Sequence, residues 1–347
     1  MKGIDRMDTK ELTLRLAAAV GVSGTEQNVT AMAAEILAPY GTVRTDNLGN
    51  LICSVRKAKE GARHYMLDAH IDEIGMIVTY IDTDGFLKVS NVGGIDRRLL
   101  LASEVIVYGK QPLTGIICST PPHLQGEGEK KNPKIDDIYI DIGMNREQAQ
   151  AAVSLGDRVT IKARSREMLG DLITSKALDD RAGCAAVIRA VQLLADINLD
   201  CGITLTLTTQ EETGAAGAKT AAFAVAPTHC ITVDVSFAYT PDSPRYKCGD
   251  LCKGPMIGIA PILSKYMSDR LVEVAKKREI PYQTEVMGGG TGTNADSIAS
   301  SGAGVATGLL SIPQQYMHTP VEKVSVGDIE NTAKLIAEFI KAEEAHK

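Results

Sequence analysis

Residues 203–235 have the sequence ITLTLTTQEETGAAGAKTAAFAVAPTHCITVDV. A β-rich apolar run at 203–209 is followed by an alanine-rich stretch at 214–226 and a second apolar run at 230–235. This alternation of strand, helix and strand is typical of a sheet that is covered by helices. The segment therefore predicts an α/β fold.

The same pattern continues on both sides of this unit. An alanine-rich helix is predicted before it, and more strands and helices are predicted after it. Together these elements predict one layered α/β sheet over the second half of the chain. The predicted helices are 180–195, 266–278 and 326–344, and the predicted strands lie near 282–286 and 306–311.

A different pattern occupies residues 66–163. Seven short strands separated by Gly, Pro, Asn and Asp predict a small β-barrel or sandwich, and the polar stretch 121–134 is expected to be an exposed loop. A length of 347 residues fits two successive domains or one domain with an insert. We predict the second arrangement, an α/β domain of residues 1–65 plus 164–347 interrupted by a β-rich insert at 66–163.

Composition and charge exclude several classes of protein. Hydrophobic residues make up 44% and charged residues 23%, near the averages of globular proteins, which excludes a disordered chain. A net charge of -6 argues against a nucleic-acid binder, and no apolar run approaches the ~20 residues of a membrane span. The polar N-terminus lacks a signal-peptide centre, and the seven cysteines form no disulfide framework. The expected location is the cytoplasm, without nucleic-acid or membrane partners.

Five short segments combine carboxylates, imidazoles and glycines, mostly at the ends of predicted strands. Open α/β sheets assemble their sites at such strand ends. Each segment alone also has a structural explanation: a strand-end ion pair, a helix cap, a solvated turn, a hydrogen-bonded aspartate or a surface histidine. The segments are DAHIDEIG at 68–75, KALDDRAG at 176–183, QEETG at 210–214, ITVDVS at 231–236 and YMHTPVE at 316–322.

Two of the segments pair groups in a way that favours metal chemistry. His70 ends an apolar strand, and Asp72 lies two residues later on the same face. A metal-bound imidazole commonly donates its second N–H to such a carboxylate. Glu211 and Glu212 follow a buried strand, where adjacent carboxylates should repel each other unless a positive charge compensates them. A metal would do so, with one Glu as ligand and its neighbour free as a base.

The other segments supply single candidates. A helix cap explains Asp180, but it does not explain Asp179, which could bridge two ions. Asp234 lies inside an apolar strand, where an unpaired carboxylate costs several kcal/mol. His318 lies on a loop before the final helix. These residues therefore complete a possible donor set.

The donors suffice for two metal ions. His70, Asp179 and Asp234 could hold one ion, and Asp179, Glu212 and His318 could hold the other, which leaves room for water. Oxygen and nitrogen donors without a thiolate suit Zn, Co or Mn. Because His70 lies at the front edge of the β-rich segment and the other ligands follow that segment, this set also favours the insert arrangement.

The ordered motifs resemble those of the M42 family of metallo-aminopeptidases. This family includes glutamyl aminopeptidases, tetrahedral aminopeptidases and proteins labelled endoglucanase M. The similar segments run almost from end to end, and the ordered set is specific although no single member is. They are AHIDEIG at 69–75, GGID at 93–96, PPHL at 121–124, YIDIG at 139–143, ALDDRAG at 177–183, QEETG at 210–214, VDV at 233–235, GP at 254–255, GTNADSI at 292–298 and YMHTPVE at 316–322.

The resemblance implies a three-layer α/β/α catalytic domain of the zinc-exopeptidase type. It implies that the β-rich insert is a PDZ-like dimerisation domain, with homo-oligomers in which dimers assemble into a tetrahedral dodecamer. It assigns Glu211 as the general base and Asp72 as the carboxylate behind His70. The implied metal ligands are His70, Asp179, Glu212, Asp234 and His318, with Asp179 bridging.

Five positions depart from the family pattern. Thr213 and Ala216 stand where the family often has Val and Arg after its Glu pair, and Asn294 stands where an Asp is expected. Gln315 replaces an Arg, and Phe237 replaces a frequent His. None of them removes an implied ligand. Their expected effect is on substrate preference.

The function expected from these residues is a two-metal aminopeptidase that removes N-terminal residues from peptides. A metal-activated water would attack the peptide carbonyl while Glu211 accepts its proton. One alternative is hydrolysis of another bond, by a metal-dependent deacylase or by a glucanase, although a glucanase needs two carboxylates and no metal. A third is a peptide-binding scaffold with an idle metal site, which the complete donor set disfavours.

Overall fold

The structure is a computed structural model that describes residues 7–119 and 133–345. The predicted exposed loop at 121–134 falls outside these residues except for its last two positions. In the described part of the chain, no helix is long and apolar enough to cross a membrane.

The described residues form seventeen strands and eight α-helices. The strands are β1 (Thr42–Thr45), β2 (Leu51–Arg56), β3 (His64–His70), β4 (Gly75–Ile81), β5 (Leu87–Val92), β6 (Glu104–Tyr108), β7 (Pro112–Ile117), β8 (Tyr139–Asp141), β9 (Arg158–Ile161), β10 (Arg166–Glu167), β11 (Leu172–Ser175), β12 (Gly202–Thr208), β13 (His229–Phe237), β14 (Met256–Ile259), β15 (Gln283–Val286), β16 (Ala306–Gln314) and β17 (Glu322–Ser325). The helices are α1 (Thr9–Ala18), α2 (Gln27–Leu37), α3 (Arg146–Ala152), α4 (Leu178–Leu194), α5 (Ala216–Val225), α6 (Lys265–Lys277), α7 (Asn294–Ala299) and α8 (Val326–Glu344).

The main sheet has eight described strands in the order β1-β2-β12-β3-β13-β16-β14-β15. The four strands β12, β3, β13 and β16 run parallel to one another. Every residue of β12 is buried, as expected for a strand covered on both faces. The carboxyl ends of these four strands therefore meet at one edge of the sheet.

Helices cover both faces of this sheet. In β3, Tyr65, Leu67 and Ala69 pack into a large core that includes side chains of α1, α4 and α8. The intervening Met66 packs with side chains of α5 and α7 instead. Because successive residues of a strand point to opposite faces, the two cores lie on opposite sides of the sheet. The predicted three-layer α/β/α fold is confirmed.

The strands that follow β3 form a closed barrel in the order β4-β5-β8-β7-β6-β9. The barrel has an apolar core of its own, which includes Leu87, Val107 and Ile140. It begins at Gly75, five residues after His70, so the chain enters the barrel directly from the edge of the main sheet. Of the predicted alternatives, the structure has a barrel and not a sandwich. A small sheet of β10, β11 and β17 lies outside both units.

Helix prediction was most successful where the apolar period is long. Helix α8 has the predicted bounds, and α6 differs by one residue at each end. Helix α3, inside the β-rich segment, was not predicted. Its signal is a capping box, in which Asn145 and Gln148 hydrogen-bond reciprocally with each other's backbone N–H. Seven residues are too few for a hydrophobic period to be recognised.

Candidate active site

The predicted donors converge at the carboxyl edge of the main sheet. His70 is the last residue of β3, and Glu211 and Glu212 follow the end of β12. Asp234 lies near the end of β13, and Asp179 lies at the start of α4. The parallel strands bring these positions together although up to 164 residues separate them in sequence.

The Asp179 carboxylate lies between two imidazoles. Its Oδ1 is 3.0 Å from Nε2 of His70, and its Oδ2 is 3.2 Å from Nε2 of His318. Each carboxylate oxygen therefore faces a different histidine. This arrangement allows one carboxylate to serve two neighbouring cations.

Local backbone geometry at the start of α4 presents this carboxylate. Asp179 and Asp180 have non-helical backbone angles and are joined by a cis peptide bond. Oδ1 of Asp180 accepts the Gly183 N–H at 2.9 Å, which is the predicted capping role. Oδ2 of Asp180 accepts the His70 N–H at 3.3 Å. Asp180 thus ties the helix start to β3, while Asp179 is free to face the histidines.

The remaining predicted ligands lie on either side of Asp179. Oδ1 of Asp234 is 3.9 Å from Nε2 of His70, and Oε1 of Glu212 is 3.3 Å from Nε2 of His318. Ligand atoms of His70, Asp179 and Glu212 all lie within 4.8 Å of one another. The structure therefore brings all five predicted ligands into one cluster.

Asp72 lies behind His70 and organises the segment that carries the two glutamates. Its Oδ1 is 3.3 Å from Nδ1 of His70. The same carboxylate accepts the N–H of Glu211 at 3.0 Å and of Glu212 at 3.2 Å, and it accepts the Ser23 hydroxyl. Burial opposes ionisation of Asp72, but these donors outweigh it and lower the pKa of Asp72. Asp72 is therefore an anion that fixes both sides of the cluster.

Glu211 approaches His70 less closely than Asp179 does. Its Oε2 lies 4.0 Å from Nε2 of His70, and 15% of its side chain is exposed. Burial raises the pKa of the Glu211 carboxyl to about 7. A carboxyl group with such a pKa can both accept and release a proton near neutral pH.

The electrostatics of the cluster favour a bound cation. Burial raises the pKa of Asp234 well above its usual range and also raises the pKa of Glu212. Burial would lower the pKa of His318, but hydrogen bonds to Asp179 and Glu212 outweigh it and raise that pKa to about 11. No lysine or arginine occurs among the described residues that line the cavity. A buried set of carboxylate oxygens and imidazole nitrogens fits divalent metal ions.

Glu322 was not identified as a site residue from the sequence. It is 2% exposed, and its two oxygens accept the Asp179 N–H at 3.1 Å and the His318 N–H at 2.9 Å. One carboxylate thereby holds the backbones of two predicted ligands. The sequence feature that could have identified Glu322 as a site residue is its position four residues after the predicted ligand His318, at the start of β17.

A second buried network lies behind the cluster. Asp68 is fully buried and accepts hydrogen bonds from Thr206 at 2.8 Å and from Asn294 at 3.0 Å. Burial raises the pKa of Asp68 to about 6. Asn294 also donates to Thr208 at 2.8 Å. Asn294, one of the five departures, therefore connects α7 to β3 and β12.

The barrel contributes a glycine turn to the site. Gly93 has φ +76°, and a Cβ there would lie 3.2 Å from Oε2 of Glu212. A Cβ on Gly94 would lie 2.9 Å from Nδ1 of His318. The absence of side chains lets this turn pack directly against two predicted ligands.

The other departures lie at different distances from the cavity, whose volume is about 410 Å³. Phe237 lines it and is 59% exposed. Gln315 donates from Nε2 to the Tyr239 carbonyl at 2.5 Å and does not line it. Thr213 and Ala216 are also absent from its lining. The effect of these positions on substrate preference stays a prediction.

Comparisons with known proteins agree with this fold. A family model described as M42 glutamyl aminopeptidase matches residues 49–335. The lysyl aminopeptidase of Pyrococcus furiosus is 34% identical over 332 residues, covering 94% of each chain. The aminopeptidase APDkam598 of Desulfurococcus kamchatkensis has a solved structure that matches with 34% identity and a TM-score of 0.89, covering 96% of this chain and 94% of that chain. The TET1 peptidase of Pyrococcus horikoshii, described as assembling into a tetrahedron or a large octahedral shell, matches with 32% identity and a TM-score of 0.84, covering 95% and 98%.

Proposed function

The chain belongs to the M42 family of aminopeptidases and is a peptide hydrolase, and from that premise we propose a two-metal mechanism for its site. In this proposal the enzyme removes N-terminal residues from peptides. Two divalent ions are held at the carboxyl edge of the main sheet, and Glu211 acts as the general base.

One observation carries the proposal. The two oxygens of Asp179 face two different imidazoles, at 3.0 Å and 3.2 Å. A carboxylate that only formed an ion pair would need one partner. Here each oxygen faces its own imidazole, so each oxygen has a separate nitrogen donor beside it. A shared carboxylate flanked by two donor sets is what a pair of neighbouring ions requires.

The ligand assignment follows from the two sides of Asp179. His70, Asp179 and Asp234 would hold one ion, while Asp179, Glu212 and His318 would hold the other. The donor chemistry suits Zn, with Co or Mn as alternatives. When bound, such ions supply Lewis-acid chemistry that acidifies water and polarises a carbonyl oxygen.

Glu211 would move the proton of the reaction. It accepts a proton from the attacking water as the oxygen of that water bonds to the carbonyl carbon of the first peptide bond. It then donates this proton to the leaving amine nitrogen as the C–N bond breaks, which restores the carboxylate. Burial raises the pKa of Glu211, which strengthens its carboxylate as a proton acceptor.

Asp72 would position the reacting groups without contacting substrate. It accepts the backbone N–H groups of Glu211 and Glu212, and it faces Nδ1 of His70. A carboxylate in this place selects the imidazole tautomer that leaves Nε2 free for a metal. The base and one ligand thereby keep a fixed distance from His70.

We also propose that the enzyme is a homo-oligomer. Its support is the likeness to the TET1 peptidase, which is described as able to assemble into a tetrahedron or a large octahedral shell. The barrel would provide the dimerisation surface, as a PDZ-like domain. Light scattering should then give a mass that is a multiple of a dimer, and a monomer at micromolar concentration would contradict the proposal.

Metal analysis of the intact enzyme tests the mechanism directly. Protein stripped with a chelator should lose hydrolysis of aminoacyl-nitroanilides and peptides, and it should recover activity as two equivalents of Zn, Co or Mn per chain are added. Asp179→Asn should bind fewer ions, whereas the matched variant Asp84→Asn, at an exposed barrel position, should bind both.

Three results would contradict the proposed mechanism. A stoichiometry of one ion at full activity would exclude the bridged pair. Metal-independent cleavage of a glucan would favour the glucanase alternative. Turnover of N-acylated amino acids, with no release from free peptide N-termini, would favour a deacylase.

A further inference from the structure

The cavity is also lined by residues that the proposed mechanism does not use. Ser236 and Phe237 follow Asp234 on β13, Glu285 lies on β15, and Leu309 lies on β16. These strands extend to one side of the ligand-bearing edge, in the order β13-β16-β14-β15. This part of the cavity, called here the side pocket, is therefore where a substrate side chain would lie beside the metal cluster.

Glu285 places a carboxylate in the side pocket. It is half-buried, and it pairs in register with Gly258 of β14, which has no side chain to cover it. Across the described chain, the side-chain hydrogen bond to Glu285 comes from the Ser236 hydroxyl. A carboxylate offers about four acceptor positions, so one hydroxyl leaves most of them for another donor.

Apolar groups line one part of the side pocket, next to hydroxyl-bearing residues such as Ser311 and Thr293. Leu309 is 1% exposed and packs in one cluster with the half-buried Met287. Phe237 lies at the exposed rim. Methionine side chains adapt to flexible aliphatic ligands. The side pocket thus combines an apolar wall and several hydroxyl groups with a single carboxylate, and no lysine or arginine is found among its described lining residues.

We propose that the side pocket binds a lysine or arginine as the N-terminal residue of the substrate. This inference rests on the proposed function and names the substrate class of that site. The aliphatic stem would pack against Met287 and Leu309, and the cationic head would bind Glu285. Lysine and arginine have this division into an apolar stem and a charged tip.

Other N-terminal residues fit this pocket less well. An acidic side chain would face Glu285 and the carboxylates of the metal cluster, and this repulsion would oppose binding. An apolar side chain would pack against the apolar wall, but it would displace water from the Glu285 carboxylate without supplying a hydrogen-bond donor in its place. Leaving a carboxylate desolvated in this way is unfavourable.

Matched substrates test the inference. Lysyl-, arginyl-, norleucyl- and glutamyl-nitroanilides are compared, because norleucine has the aliphatic stem of lysine without its charge. We expect kcat/KM to be at least about tenfold higher for the lysyl substrate than for the norleucyl one, as for a charge-assisted hydrogen bond. The glutamyl substrate should be the poorest.

Three variants separate the role of Glu285 from general effects. Glu285→Gln keeps the shape and can still accept from Ser236, so we expect kcat/KM for the lysyl substrate to fall about 10- to 100-fold. The norleucyl value should stay the same or rise, because the apolar side chain no longer desolvates a charged group. Glu285→Lys should improve the glutamyl substrate. Glu279→Gln, an exposed carboxylate six residues earlier, is the matched control and should change neither preference.

The outcomes distinguish this inference from the proposed function. If Glu285→Gln lowers kcat/KM equally for all substrates, Glu285 binds the α-amino group of the substrate and not its side chain. If the preference for the lysyl substrate is unchanged, Glu285 does not recognise the substrate. Either result overturns the inference. If the wild type hydrolyses no aminoacyl substrate, the proposed function fails. Calorimetric binding of lysine amide against norleucine amide then tests the side pocket alone, and equal affinities would overturn it.

Discussion

The barrel and the carboxyl edge of the main sheet bury opposite kinds of side chain. The barrel core is made of aliphatic residues such as Leu87, Val105 and Ile140. Among the described residues of strands β4 to β9, Thr160 is the buried polar side chain. The sheet edge and the segments that pack against it instead bury many ionisable groups. They include Asp68, His70, Asp72, Glu73, Asp179, Asp180, Asp234 and Glu322.

This difference separates stability from chemistry. Burial of aliphatic groups stabilises a fold at about 25 cal/mol per Å² of apolar surface, whereas burial of a carboxylate costs several kcal/mol unless it is paired. The barrel therefore contributes folding free energy. At the sheet edge, the cost of burying charges close together offsets part of the folding free energy that the core of the main sheet contributes. Substitutions in the two regions should consequently have separable effects.

The largest effect is expected from Glu211→Gln. Loss of the proton acceptor should reduce kcat by about 10²- to 10⁴-fold, the usual contribution of a general base. Metal content and melting temperature should stay the same, because the amide fits the same space. Steady-state kinetics and calorimetry check both. Retention of more than half of kcat would remove Glu211 from the mechanism.

Leu87→Ala should have the opposite effects, a loss of stability without a loss of activity. Leu87 is fully buried in the barrel core, so its truncation should lower the free energy of unfolding by about 2–5 kcal/mol. Urea unfolding measures this loss. Metal stoichiometry and kcat of the folded enzyme should remain at the wild-type values. A variant that loses metal under conditions where it stays folded would show that the two regions are not separable.

Glu322→Gln is expected to weaken metal binding about 10- to 100-fold, as for other groups that orient ligands. Its amide nitrogen would face the N–H of Asp179 or His318, so one of the two hydrogen bonds would be lost. Competition with a fluorescent chelator measures the affinity, and Glu11→Gln, at an exposed position on α1, is the control. Wild-type affinity in Glu322→Gln would mean that the rest of the fold positions these ligands.

The smallest effect is expected from Gly94→Ala, at the contact between the two regions. The new Cβ would lie 2.9 Å from Nδ1 of His318, so that ring must move by about half an ångström to restore an ordinary contact. We expect kcat/KM to fall by less than about tenfold, with no loss of stability. Gly289→Ala, where a Cβ would meet no atom within 4 Å and φ is not positive, controls for the general effect of replacing a glycine. Equal activities of the two variants would show that the turn does not constrain His318.

The part of the site that sequence predicts best is the part carried by strand ends. His70, Glu211 and Asp234 each follow or end an apolar run, and parallel strands must bring such ends to one edge. Asp179 was also identifiable, because Asp180 already accounted for the helix cap. The geometry around Asp179 confirms that these positions meet, while their catalytic roles stay predictions.

The residues that sequence did not identify act through distant hydrogen bonds. Glu322 reaches the Asp179 N–H across 143 positions, and Ser23 reaches Asp72 across 49. Neither contact leaves a local pattern, because periodicity reports the face of an element and not the group that it meets. The order of the main sheet was unpredictable for the same reason, since β12 lies between β2 and β3.

The shared position of Asp179 has a thermodynamic consequence for the proposed centre. A single carboxylate that touches both ion positions makes their occupancies interdependent. By linkage, whatever factor the first ion applies to the affinity of the second must also apply in reverse. The coupling free energy between the two ions should therefore be the same whichever ion binds first. A two-step binding isotherm would measure this coupling, and Asp179→Asn should abolish it.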